Sequence, residues 1–309
     1  MIDLLNRFQS HFSSHILLYH STFTEVPNDL KEGLHNVTPE SLYKQVEWFK
    51  KYFDIVEIDE IFSQDNIYGK VAITFDDAYQ SVFTEAIPVL KSLNVPCTIF
   101  INGVSLSGKA FWRDKIRFLI NNSLIDDFLN FNSSFTQLHK ITSKNFYKIT
   151  KSSNINSQEI DTLLDRYLEE NKISIDNFCM KDIEYLRKNP LVSYGNHTYN
   201  HYVLSSLNKN QQELEIRKNH ELLEKLNIKH SKIFSIPFGG DRDLNSTTIE
   251  LLKKYNYRGF LYSKNAINIK NNRISDLTLP SKERYMVNSD FNSFQKQLFK
   301  LGLKGLIKR

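Results

Sequence analysis

The sequence predicts an α/β fold: a parallel sheet curled into a (β/α) barrel of about seven strands, with a helical insertion. Three observations lead there. Short apolar runs alternate with helical segments along most of the chain. About seven such alternations over 309 residues suit a barrel better than an open sheet. The alternation breaks once, between about 111 and 189, where the chain turns helix-like and rich in Asn, Ser and Lys.

The strands come first. "ILLYH" from Ile16, "DIVEI" from Asp54, "VAITF" from Val71, "CTIFI" from Cys97, "LVSYG" from Leu191, "KIFSIP" from Lys232 and "GFLYS" from Gly259 read as buried parallel strands. Between them, "TPESLYKQVEWFKKY" opens with Thr38 as N-cap and Pro39 at the first helical position, and places Leu42, Val46 and Phe49 on one face. "TEAIPVLKSLNVP" and "NKNQQELEIRKNHELLEKLNI" supply further covering helices. In the insertion, "FLINNSLIDDFLNF", "QEIDTLLDRYLEENK" and "MKDIEYLRKN" are helical, and the segment is expected to pack beside the barrel mouth. No linker separates two units, so residues 1–309 read as one domain with its insertion at about 111–189.

Composition sets bounds. Lys and Arg number 40 against 35 Asp and Glu, a net charge of +5, but the charges are scattered and no dense basic run argues for nucleic acid. The two cysteines, Cys97 and Cys179, make neither a disulfide framework nor a cysteine zinc site. "MIDLLNRFQSHFSSHILLYH" lacks the unbroken apolar core of a secretory signal, and nowhere does an apolar run reach the ~18 residues of a membrane span, so a cytoplasmic protein is expected.

Chemistry in a barrel belongs at the C-terminal ends of its strands, where the strand-to-helix loops gather. "VAITF" runs into the adjacent Asp76 and Asp77, "LVSYG" into "NHTYNH" with His197 and His201, "KIFSIP" into "FGGDRD", and "ILLYH" ends in His20. Two carboxylates held close resist ionising together and need a cation, a proton or water between them. His197 and His201, four apart, face one ion if their segment makes a helical turn, and with one carboxylate they complete a three-ligand zinc-type set. The other carboxylate is then free to take a proton from water. An Asp pair standing alone would be a helix cap and first-turn charge; together with the His pair, on separate strand ends, it points to a metal site.

These residues resemble a known family. "TFDD", "HTYNH" and "FSIPFG" stand in the order and spacing type of polysaccharide deacetylases with a NodB-type domain. "ILLYHS", "NVTPESLYKQVEWFKKYF", "AIPVLKSLNVPCTIFI" and "YGNHTYNHYVLSSL" also look like that family's connecting segments; the insertion is least covered. The resemblance implies a distorted (β/α) barrel that hydrolyses acetyl groups, usually from the nitrogen of N-acetylglucosamine units, with a divalent metal such as zinc. By position, Asp76 resembles the general base and Asp77, His197 and His201 the metal ligands. Pro237 and Phe238 would line the pocket, with the Phe238 N–H on the oxyanion and Gly239 permitting the close turn.

The departures from the pattern are specific. Many members carry an arginine two residues before that proline to hold the base, where this chain has Ser235; Arg284 in "KERYMV" or Arg113 in "FWRDK" is the substitute, unless both are ordinary structural arginines. No histidine follows His230, so the late histidine that protonates the leaving amine is missing. His20 resembles the tyrosine–histidine pair of a subset, as acid, as substrate contact, or as a histidine simply hydrogen-bonded in the barrel mouth. His11, His15, His35, His139, His220 and His230 have no partner pattern and read as structural. Trp112 and Phe111 either stack on a sugar ring or fill the core. The C-terminal "FNSFQKQLFKLGLKGLIKR" sets Phe291, Phe294, Leu298 and Leu301 on one helical face and Lys296, Lys300, Lys304 and Lys308 on others, to dock on the barrel or touch an anionic membrane surface.

The expected function is removal of acetyl groups from an N-acetylated sugar in a glycan or glycan precursor by a metal-dependent hydrolase. Two alternatives stay open because the motif arginine and late histidine are absent. One is an esterase or other C–N hydrolase on the same barrel. The other is a carbohydrate-binding protein that has lost turnover.

Overall fold

The computed structural model describes residues 10–64, 66–187, 189–269 and 279–307. Among these residues nine strands form one parallel sheet: β1 (His15–Tyr19), β2 (Asp54–Val56), β3 (Lys70–Asp76), β4 (Cys97–Ile101), β5 (Val192–Asn196), β6 (His230–Ser235), β7 (Gly259–Leu261), β8 (Ser281–Lys282) and β9 (Tyr285–Met286). Their spatial order is β8-β7-β6-β5-β4-β3-β1-β9, with β2 beside β3. The sheet is a curled half-barrel covered by helices. All seven apolar runs of the sequence lie in β1 to β7. The two-residue strands β8 and β9 carry no periodicity to read, yet they shape the mouth. Consecutive in the chain, they lie at opposite ends of the strand order. The link between them, Glu283 and Arg284, therefore lies at the open seam.

Packing inside the sheet is close enough to specify residues. A Cβ on Gly195 of β5 would lie 2.3 Å from the Phe100 ring of β4, so only glycine lets that ring fill the space. On the outside, Thr38 accepts from the Ser41 N–H at 3.3 Å and caps the helix Pro39–Tyr52, whose Leu42, Val46 and Phe49 are buried. The C-terminal helix Phe291–Ile307 docks on the same surface: Phe294, Leu298 and Leu301 are buried, and the Phe294 ring lies 5.7 Å from Trp48 and from Phe49. Lys308 lies outside the described residues. Among those described, no helix is long and apolar enough to cross a membrane.

The insertion leaves after β4 and returns before β5, through helices that include Trp112–Asn121, Ile125–Phe131, Phe146–Ile149 and Ser157–Glu170. It shares the main apolar core. The Phe128 ring lies 5.7 Å from Phe146 and 5.6 Å from Tyr167, and Lys115 bridges Asp161 and Asp165 at 2.7 and 2.5 Å. Entering and leaving beside two strand ends, it forms one side of the barrel mouth.

Candidate functional site

The strand alternation of β3 would turn Asp77 away from Asp76. The chain leaves strand geometry at once: Asp77 and Ala78 adopt φ of 70° and 57°, a left-handed conformation that non-glycine residues rarely hold. Both carboxylates therefore enter one cavity of about 370 Å³ at the C-terminal ends of the strands. Asn102, just past β4, donates to Asp77 Oδ1 at 2.9 Å.

The histidines reach the same place by a loop, which corrects the expected helical turn. After β5, Thr198 and His201 have φ of 64° and 63°. The loop is held by Thr198 N–H to Asn196 Oδ1 at 2.8 Å, His201 N–H to Thr198 Oγ1 at 2.9 Å and Asn200 N–H to Glu215 at 2.7 Å. The two imidazole rings lie 4.7 Å apart, edge to face. Asp77 Oδ1 is 3.7 Å from His197 Nε2 and 3.5 Å from His201 Nε2. His197 Nδ1 is 2.8 Å from the Ser235 carbonyl, so it carries the proton and leaves the Nε2 lone pair facing the cluster. All three side chains are buried, and one donor atom from each lies within 4.8 Å of the others. Burial pushes the Asp77 carboxyl up to about 6, with His197 and Arg117 opposing and Asp76 adding to the rise. Burial also drives His201 well below its ordinary range, which keeps the ring neutral with one nitrogen lone pair free. A buried anion beside two imidazole lone pairs is a donor set that fits a divalent cation.

Asp76 has a different environment. Arg284, fully buried, meets it with two parallel bonds, Nη1 to Oδ1 at 2.8 Å and Nη2 to Oδ2 at 2.9 Å. Nη2 also donates to Ser235 Oγ at 2.8 Å and Ser263 Oγ at 3.1 Å. Burial would raise the Asp76 carboxyl, but Arg284 and then His197 overcome it and hold it at about 2. Ser235, where the family resemblance leads one to expect arginine, thus leaves room for a guanidinium arriving from the β8–β9 link. Arg113 does not approach Asp76; it bonds Thr150 Oγ1 at 3.0 Å and lies among aromatic rings.

Trp112 is corrected as a sugar platform. Fully buried, it is absent from the cavity wall, and its indole N–H donates to the His201 carbonyl at 2.9 Å. Phe111 is likewise buried, 5.6 Å from the His201 ring. Pro237 is buried behind Phe238, whose ring lines the cavity at 4.8 Å from His201. Phe238 and Gly239 have φ of 63° and 72°, and a Cβ on Gly239 would meet Ser263 Oγ at 2.6 Å. His20 lines the cavity with its Nδ1 lacking a hydrogen-bond partner, next to His35 at 5.6 Å between rings. His35 keeps the structural bond expected of it, its Nε2 2.6 Å from the Val287 carbonyl, and also lines the cavity. Asn102 was legible in principle, since it follows a strand end; nothing in the sequence marked His35, Tyr147 or Lys151.

Glu215 supports the histidine loop from behind. Its carboxylate accepts from Asn200 N–H and Asn200 Nδ2, at 2.7 and 2.6 Å, and burial pushes it up to about 7. A folded-state value above the ordinary 4.5 favours the protonated folded form, so stability is full below 4.5 and falls as pH rises to about 7. Glu215→Gln should remove that part of the pH dependence and equal or exceed the parent in stability at pH 8. Urea unfolding at pH 5 and pH 8 checks this; identical pH slopes in the two proteins would defeat it.

A curled parallel barrel with a buried Asp/His/His cluster at its strand ends is an enzyme architecture of the barrel-hydrolase class. The chain belongs to the polysaccharide deacetylase family, whose profile matches residues 64–260. That makes it a hydrolase that removes acetyl groups from a sugar. Solved structures share the fold. The Streptococcus pyogenes deacetylase PplD, in complex with acetate, is 17% identical with TM-score 0.59, covering 94% of this chain and 97% of that one. IcaB from Ammonifex degensii is 16% identical with TM-score 0.57, covering 94% and 97%. A de-N-acetylase from Aggregatibacter actinomycetemcomitans is 13% identical with TM-score 0.56, covering 92% and 99%. No curated protein sequence matches the chain.

Proposed function

We propose that the protein is a divalent-metal-dependent de-N-acetylase acting on an N-acetylated sugar of a glycan or glycan precursor. The observation that carries this is two adjacent buried carboxylates with different partners: Asp76 makes paired bonds to Arg284, with His197 Nε2 3.5 Å from its Oδ2, and Asp77 alone lies beside both imidazoles. Asp77, His197 and His201 would hold the metal, zinc by the chemistry of the set. When bound, such a cation polarises a carbonyl oxygen and acidifies water.

The chain's own groups do the rest. Asp76, fixed and ionised by Arg284, takes the proton of the attacking water at a carboxylate oxygen. The backbone N–H of Phe238, a residue of the cavity wall, would donate to the oxygen that becomes negative, the role the family resemblance gives it. With no late histidine, the protonated Asp76 passes its proton to the leaving nitrogen. His20 serves as a substrate contact. Burial, outweighing the pull of Asp76, keeps its ring neutral, so it hydrogen-bonds in place of acting as an acid.

Metal analysis of the purified protein, with acetate and free amine measured from an N-acetylated oligosaccharide and acetate from an O-acetylated one, tests the reading. Amine should appear with the acetate. Release from the ester alone would assign an esterase.

A further inference from the structure

One wall of the cavity is cationic and comes entirely from the insertion: Arg113, Arg117, Tyr147 and Lys151. Arg117 is satisfied, its Nη1 donating to Asp114 Oδ1 and Tyr79 Oη, each at 2.7 Å. Arg113 is not. It is 1% exposed, its Nη1 donates to Thr150 Oγ1 at 3.0 Å, and its Nη2 has no hydrogen-bond partner among the described residues. Lys151 holds its ammonium 3.8 Å from the Tyr147 ring centre, and the Arg113 guanidinium lies 5.0 Å from that same ring. Among the described residues neither cation pairs with a carboxylate. Two cations on one tyrosine, one of them buried with a free donor, are costly unless an anion arrives. The same arrangement pulls Tyr147 down to about 8 against its burial, through Arg113 first and Lys151 next.

The two carboxylates of the cavity do not supply that anion, because Asp76 is taken by Arg284 and Asp77 faces the imidazoles. The wall is also close to them. The Phe238 ring lies 4.8 Å from the His201 ring, 5.6 Å from the Arg113 guanidinium and 6.0 Å from the Lys151 ammonium. A single phenylalanine ring thus touches both the cations and the cluster.

We infer that Arg113, Lys151 and Tyr147 form a subsite for an oxyanion, a carboxylate or a phosphate, carried by the sugar that is deacetylated or by the unit next to it. This rests on the de-N-acetylase reading and narrows it to acidic substrates. Guanidinium supplies the directed donor through Nη2, and ammonium the point charge. Both cations stand on the insertion and not on the strands, so the substrate's charge is read by a segment separate from the reacting groups.

The test compares kcat/KM for acetate release from three probes: a neutral N-acetylglucosamine oligosaccharide, the same oligosaccharide with a neighbouring uronic acid, and N-acetylglucosamine 1-phosphate. The protein should prefer an acidic probe by about tenfold or more, the worth of one or two charge-assisted bonds. Which acidic probe wins names the source of the oxyanion. In Lys151→Met and Arg113→Met, turnover of that acidic probe should fall about tenfold more than turnover of the neutral one. Equal use of neutral and acidic probes by the parent, or equal loss of both in Lys151→Met, overturns the inference. No acetate from any probe defeats the de-N-acetylase reading instead. Calorimetric titration then decides the subsite separately: acidic probes should bind the parent and bind Lys151→Met more weakly, and binding with no preference for charge rejects it.

Discussion

Arg284→Met should lose both stability and turnover. The guanidinium is fully buried and is the partner of both Asp76 oxygens, with further bonds to Ser235, Ser263 and the Tyr262 carbonyl. Removing it leaves a buried carboxylate without its counter-charge, a loss of about 3–5 kcal/mol in unfolding free energy. Burial then raises the Asp76 carboxyl unopposed by its main partner, so less of the base is ionised and its orientation is lost. Turnover should fall by about a hundredfold or more. Arg284→Lys should recover little, because an ammonium cannot make two parallel bonds. The pH sign follows from the depressed value. In the parent, Asp76 contributes stability that is present above its ordinary 3.8 and lost as pH falls toward about 2. That acid-side loss should be absent from Arg284→Met, while the acid limb of its activity profile should move up. Denaturant unfolding and a pH–rate profile check this; a variant with parental stability and an unmoved acid limb would show that Arg284 is incidental.

Asp77→Asn and Asp76→Asn should separate the two carboxylates. Asp77 is the anionic member of the donor set, so its replacement should release the metal, or weaken it severely, and activity with it. Asp76→Asn should retain metal while hydrolysis falls by about a hundredfold or more. It should also leave Arg284 buried without its anion, so this variant, unlike Asp77→Asn, should be markedly less stable. Metal analysis, acetate release and unfolding on the same two preparations supply three readouts. If Asp76→Asn loses metal and Asp77→Asn keeps it, the roles are exchanged.

Asp76, Asp77, His197 and His201 were found because each follows an apolar strand run, and barrel strands deliver their ends to one place. The way they converge was not legible. The helical turn expected for His197 and His201 is a loop with two left-handed residues, Thr198 and His201, and non-glycine φ values of this kind leave no mark on composition. Arg284 was the first candidate to hold Asp76 and Arg113 the alternative; the β8–β9 link at the seam carries Arg284 to the carboxylate, while Arg113 stays among aromatic rings. Trp112 had an aromatic's two fates, and burial with a bond to the His201 carbonyl selects one. The C-terminal helix showed its apolar stripe plainly, and Trp48 and Phe49 are what cover it.

By itself the sequence determined what periodicity and strand-end position can encode: a parallel barrel, its helical insertion, and the strand ends where charge and imidazole gather. Those signals are local, set by residues a few positions apart. The tertiary structure alone decided which side chains meet across long separations. Arg284 reaches Asp76 from 208 residues away, and Arg113, Tyr147 and Lys151 of the insertion face the cavity at Phe238. The physical reason is that an ion pair or a shared cavity depends on the closure of the sheet and the path of the insertion, which no single segment's pattern contains.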